Sequence, residues 1–199
     1  MKIAKRISKN NRGATLVELM MTFALLAIFM VAGTRIISYT IGIYYSAKGN
    51  TNAYQVTSII YDKVSGMIEN AVNSSTPPTV NADGTFSLVD STGSDVVIGL
   101  GNQKGELDRK YLVIHYAPTS YNGNMLEATD WYYDEKLYLG YSIKELVFAD
   151  PNSGVAPGNE KYPENVVKMN ITVTSPKYGD FSSTYYIKCF NCDVINFME

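Results

Sequence analysis

Polar residues crowd the first thirteen positions, all but vanish from Ala14 to Thr34, and then return with two different periods. The apolar run is broken only by Glu18 and a few threonines. Twenty-one helical residues would span about 31 Å, the thickness of a bilayer core. Arg35 closes the run. Beyond it, Val56, Ile59 or Ile60, Val64, Met67 or Ile68, and Val72 recur at helical spacing, with Gln55, Asp62, Lys63 and Glu69 opposite. That pattern predicts an amphipathic continuation of the same helix. Gly33, Gly42 and Gly49 are points where it could bend. A helix continuous from Ala14 to Asn73 would be about 90 Å long. The run "NSSTPP" at 73–78 ends it.

From residue 74 the period changes to two. "TFSLVD" (85–90), "DVVIGL" (95–100), "KYLVIHYA" (110–117) and "TDWYYDE" (129–135) read as strands. So do "KLYLGY" (136–141), "SIKELVFAD" (142–150), "VVKMNITVTS" (166–175) and "FSSTYYIKCF" (181–190). "NADG", "STGS", "YNGN" and "SPKYGD" punctuate them as turns, and 151–165 reads as a long loop. The expected fold is α+β: one long N-terminal helix packed by its second half on an antiparallel sheet. The expected division is 1–13 leader, 14–34 membrane-spanning helix, 35–73 amphipathic continuation and 74–199 β-rich domain.

Composition adds two constraints. Of 199 residues, 46% are hydrophobic and 18% charged, enough for one domain with a real core. The 16 tyrosines against 7 phenylalanines suit strands that are wet on one face. Charge is uneven: Lys2, Lys5, Arg6, Lys9 and Arg12 precede the apolar run with no acid among them. Without that leader the chain is acidic, which argues against a general nucleic-acid binder. A local basic patch would have to draw on Lys104, Arg109, Lys110 or Lys188, which are scattered. Cations before the run and few soon after it place the leader in the cytoplasm and the rest outside.

Glu18 is the feature that needs a reason. An acidic charge at mid-membrane costs roughly 2.5–3.5 kcal/mol on insertion scales. Three readings compete. A secretory signal cleaved after "VAG" (31–33) would need an unusually long apolar core containing a carboxylate. A plain uncleaved anchor leaves Glu18 equally idle. A cut after Gly13 creates an amine at Ala14, four residues from Glu18. Between staggered neighbouring helices, that amine can meet Glu18 of the next chain and set the axial register.

The stretch "RGATLVEL" resembles the N-terminal motif of type IV pilins and pseudopilins, and the resemblance covers roughly residues 9–34. It implies cleavage after Gly13 by a prepilin peptidase, N-methylation of Ala14, and a pairing role for Glu18 in filament assembly. It also implies other pilin or pseudopilin subunits as partners through the helix. The expected location is the cytoplasmic membrane before assembly and an extracellular filament afterwards. Ala14 departs from the family's frequent Phe, and the helix-bending proline common in major pilins is absent, with Arg35 instead. "LYLGYSIKELVFAD…YPENVVKMNITVTS" resembles the closing strands of PilW-type minor pilins and J-type pseudopilins. Such proteins sit near the filament tip and prime assembly, in a pilus, competence or secretion system.

Catalytic chemistry is sparse. His115 in "VIHYA" is a lone strand histidine, and "GLGNQKG" lacks the spacing and following helix of a phosphate loop. No cofactor is expected. "NADG" and "DSTGSD" offer oxygen ligands and pseudopilin relatives sometimes bind calcium, but both stretches read well as hairpin turns. Asp130, Asp134 and Glu135 crowd one segment, and Trp131, Tyr132 and Tyr133 could face a ligand or pack on the helix. Cys189 and Cys192 fall short of a zinc site and lack a thioredoxin setting. A local disulfide and two unpaired structural thiols both stay open. The rival to a filament subunit is an anchored or secreted module that captures a surface, a sugar or DNA, working without residues 14–34. An enzyme is the third class and has no constellation to support it.

Overall fold

The computed structural model describes residues 15–73, 76–102, 110–121, 124–154 and 162–198. One helix, α1 (Leu16–Glu69), is followed by β strands. The chain divides into two units, Met1–Ser46 and Ala47–Glu199.

In the first unit α1 is apolar all round, and from Thr15 to Ser46 every residue but Gly33 is exposed. Its polar hydroxyls fold back on the helix itself: Thr22 donates to the Leu19 carbonyl at 2.8 Å, Thr34 to Met30 at 2.9 Å, and Thr40 to Ile36 at 2.9 Å. That removes three donors from a surface with no other use for them.

In the second unit the helix buries one stripe: Ala53, Val56, Thr57, Ile60, Val64 and Ile68. This is the stripe the spacing predicts, with Ile60 and Ile68 chosen over Ile59 and Met67, and with Val72 left exposed. The helix ends at Glu69, before Asn73. Its C-terminal carbonyls are claimed there: Ala71 N–H bonds Ile68 O at 3.2 Å and Phe190 N–H bonds Glu69 O at 3.1 Å.

Among the described residues the strands form three sheets. The largest runs in the order β11 (Asn196–Phe197), β1 (Thr79–Val80), β2 (Phe86–Val89), β3 (Asp95–Asn102), β4 (Lys110–Tyr116), β7 (Thr129–Tyr132). Its pairs are antiparallel except β1 with β11, which are parallel. The second sheet sets β9 (Val166–Ser175) between β10 (Gly179–Lys188) and β8 (Ser142–Ala149), all antiparallel. The third is a small hairpin, β5 (Thr119–Tyr121) with β6 (Asn124–Leu126). One core joins the helix stripe to both larger sheets. Phe86 and Ile98 come from one, Ile143, Met169, Ile171 and Val173 from the other.

The expected α+β arrangement holds, with an antiparallel-rich β domain in which β8–β10 pair among themselves. One expectation needs correction. The stretch "KLYLGY" is not a strand. Residues Glu135–Tyr138 form a 3-10 turn, capped by Asp134 Oδ1 accepting Lys136 N–H at 2.9 Å. Leu139 and Gly140 leave it with φ of 51° and 81°. The turn carries Tyr138 into the core, where its ring meets Tyr111 edge-on at 4.7 Å. Its hydroxyl accepts Leu112 N–H at 3.0 Å, just past the last residue of β4 that β7 pairs. Burial pushes the Tyr138 hydroxyl up to about 12, against the pull of the Leu112 N–H.

The first two glycines of "GLGNQKG" have a packing use, and Gly105 lies outside the described residues. Gly99 and Gly101 lie in β3, and a Cβ on Gly101 would meet Val113 Cγ2 at 2.6 Å. They admit neighbouring side chains across the strand.

Candidate functional site

The site is the start of α1. Thr15 precedes the helix and its carbonyl accepts Leu19 N–H at 3.1 Å. Its hydroxyl accepts Glu18 N–H at 3.3 Å, and its own N–H donates to Glu18 Oε2 at 3.2 Å. This reciprocal pair is a capping box, with Thr15 at the cap and Glu18 three residues on. The carboxylate also lies in the first turn, where the helix dipole favours negative charge. "TLVE" at 15–18 spells the box in the sequence, and a reading centred on the charge passes over it. Glu18 therefore has a bond within its own chain, while the side chain stays exposed. The predicted processing positions Gly13 and Ala14, and the whole leader 1–13, lie outside the described residues.

Beyond Glu18 the surface carries no charge for about four and a half turns. Leu16, Phe23 and Phe29 are 77%, 63% and 75% exposed. Arg35 is the next charge after Glu18, also exposed. By length and composition this helix can cross a membrane.

The other candidates take structural places. Cys189 and Cys192 are joined by a disulfide, and both sulfurs are buried against the Ala71 carbonyl. Asn165 Nδ2 donates to the carbonyls of Cys189 and Cys192 at 2.9 and 3.1 Å. The loop thus clasps the end of α1, since Phe190 supplies the N–H that Glu69 accepts. His115 Nδ1 and Asp130 Oδ1 are 2.7 Å apart across β4 and β7, both exposed. Trp131 packs edge-on against Tyr133 at 4.7 Å, with Lys63 Nζ 4.4 Å over the indole. This draws two of the three aromatics towards the helix, while Tyr132 is exposed.

The turn carboxylates are engaged by their own loops. Asp83 Oδ1 accepts Thr85 N–H and Oγ1–H at 2.9 and 2.6 Å. Asp90 Oδ1 accepts Thr92 N–H and Oγ1–H at 2.8 and 2.6 Å and Ser94 N–H at 3.0 Å. Among the described residues no three His, Cys, Asp or Glu side chains gather as a metal cluster. Lys110 and Lys188 lie on different sheets, and Lys104 and Arg109 lie outside the described residues.

No curated protein matches the chain, and no solved structure does. Residues 8–34 match the family model described as the prokaryotic N-terminal methylation motif. That match, on the segment that holds the capping box and the start of the apolar helix, supports a type IV pilin-like or pseudopilin family for this chain.

Proposed function

We propose that the protein is a structural subunit of a pilin-type filament, and a minor one. A prepilin peptidase removes residues 1–13, and Ala14 becomes the methylated N-terminus. Before assembly the helix holds the chain in the cytoplasmic membrane as a single pass, with the β domain outside. In the filament the exposed apolar surface of residues 16–46 packs against neighbouring subunits. Glu18 fixes their register by meeting the Ala14 amine of an adjacent chain. The protein performs no catalysis.

One observation carries this reading: the methylation-motif match runs into a helix whose apolar surface over residues 16–46 is exposed among the described residues. Apolar surface on that scale requires lipid or other helices. The lack of proline in α1 and the presence of Arg35 favour a minor over a shaft subunit. The likeness of 137–175 to PilW-type and J-type chains favours a place near the tip, priming assembly. Prepilin processing is tested by intact mass and terminal sequencing of the protein from its native host. The expected start is methylated Ala14. A start at Thr34, or an intact Met1, would overturn the filament reading.

A further inference from the structure

The sheet edges of the second unit are not equally protected. The six-stranded sheet ends on β11, two residues long, and on β7, four residues long. The outer edge of β8 is broken by a bulge between Ile143 and Glu145, with Lys144 at the break. Short edges, bulges and charges are the usual ways a fold keeps strands from pairing with strangers. β10 is ten residues long, has no bulge in its pairing with β9, and carries charges only near its ends.

All ten residues of β10 pair with β9, and among the described residues no backbone bond reaches its other side. Its middle, "FSSTYYI" (181–187), is uncharged, free of glycine and proline, and rich in residues that favour strands. One face is anchored: Ile187 is buried, and Tyr185 stacks on Tyr61 at 4.4 Å. The opposite face is exposed at Asp180, Ser182, Thr184, Tyr186 and Lys188. The only charges sit at the two ends of the strand and have opposite sign: Lys188, and Asp180, whose carboxylate already meets Lys144 Nζ and accepts Thr174 Oγ1–H at 2.6 Å within the chain.

We infer that the β10 edge pairs with β10 of a second copy of this chain, antiparallel and centred on Thr184. In that register Asp180 of each copy faces Lys188 of the other, and Ser182 faces Tyr186. The exposed charges then match twice across the dyad. Opposite charges directly across a strand pair are favourable, and a slip of two residues loses both matches. The pairing adds main-chain bonds to a preformed strand, as in other cases of strand addition. It is separate from the helix contacts proposed above and does not depend on them.

The test uses the full chain in membranes, with single cysteines under mild oxidation. The native Cys189 and Cys192 are bonded to each other. Thr184→Cys places two thiols on the dyad, within the Cα separation a disulfide needs. Ser182→Cys places them about 13 Å apart along the strand. The expected result is a dimer of twice the mass from Thr184→Cys, with roughly tenfold less from Ser182→Cys. Adding Asp180→Lys to Thr184→Cys should reduce the dimer, and adding Lys188→Asp as well should restore it. Three results would each overturn the inference: no dimer from Thr184→Cys in a folded chain, equal linking at both positions, or an adduct with another protein.

Discussion

The two stretches of α1 teach opposite uses of the same apolar residues. In 47–69 apolar side chains keep to one stripe, and that stripe is covered by the protein's own sheets. In 16–46 they run all round and are exposed among the described residues. Ile60 is 1% exposed and Ile28 66%. The first stretch stabilises a domain; the second is a surface for something else. Periodicity separates the two better than composition does.

The hardest way to break this contrast is one charge in each place. Ile60→Asp buries an unpaired carboxylate and should cost the β domain several kcal/mol. Thermal unfolding of the full chain in detergent would show it as loss of the cooperative transition. Ile28→Asp should leave that transition in place and instead weaken membrane retention, by about 2.5–3.5 kcal/mol on insertion scales. If both variants unfold the domain, the division of labour is wrong.

Glu18 sharpens the comparison next, because its cap and its charge can be separated. Glutamine at this position keeps a capping box but removes the charge. Glu18→Gln should lower filament incorporation about tenfold, the effect of losing roughly 1.4 kcal/mol of pairing. Glu18→Ala should add about 1 kcal/mol of lost helix capping. Quantitative immunoblotting of sheared filaments measures the first, and amide exchange at residues 15–19 the second. Wild-type incorporation of Glu18→Gln would leave the carboxylate a capping role alone.

A smaller effect should divide two tyrosines inside the β domain. Tyr138→Phe strips Leu112 N–H of its acceptor and should cost about 1–3 kcal/mol. The Tyr111 hydroxyl is buried without a hydrogen-bond partner among the described residues, so Tyr111→Phe should be neutral or raise Tm. Equal losses in the two variants would contradict this account.

The smallest effect is a titration confined to the second unit. Burial pushes the Asp90 carboxyl up, but the Thr92 hydroxyl and the Ser94, Thr92 and Gly93 amides pull it further down, to a net position below the ordinary value. A depressed carboxylate adds stability above its unfolded pKa, near pH 4, and loses it as pH falls through the folded value. Wild type should therefore exceed Asp90→Asn in Tm at pH 6, and the gap should close towards pH 2.

Much of the fold is legible in the sequence because it rests on period. The helix stripe and the long strands β3, β4, β8, β9 and β10 all follow it. "KLYLGY" misleads because alternating Leu and Tyr mimic a strand. The flanking Asp134 and Gly140 are the turn signals that outweigh them. β1 and β11, at two residues each, are too short to carry any period. The His115–Asp130 pair depends on strand register, which no local pattern encodes. At the candidate site, Glu18 is plain as a charge in an apolar run. Its bond to Thr15 is equally readable, but only if the run is asked where a helix begins.

The contact at Gly49 has a mechanical meaning. A Cβ there would lie 2.7 Å from Tyr178 Cδ1, and Tyr141 donates its hydroxyl to the Gly49 carbonyl at 2.9 Å. Gly49 is the first buried residue of the helix in the second unit. From Gly49 to the disulfide clasp at Glu69, the buried side chains are spread along the helix axis, so a load applied along that stretch would act on all of them together. They would share such a load in shear, rather than yield one after another as in peeling.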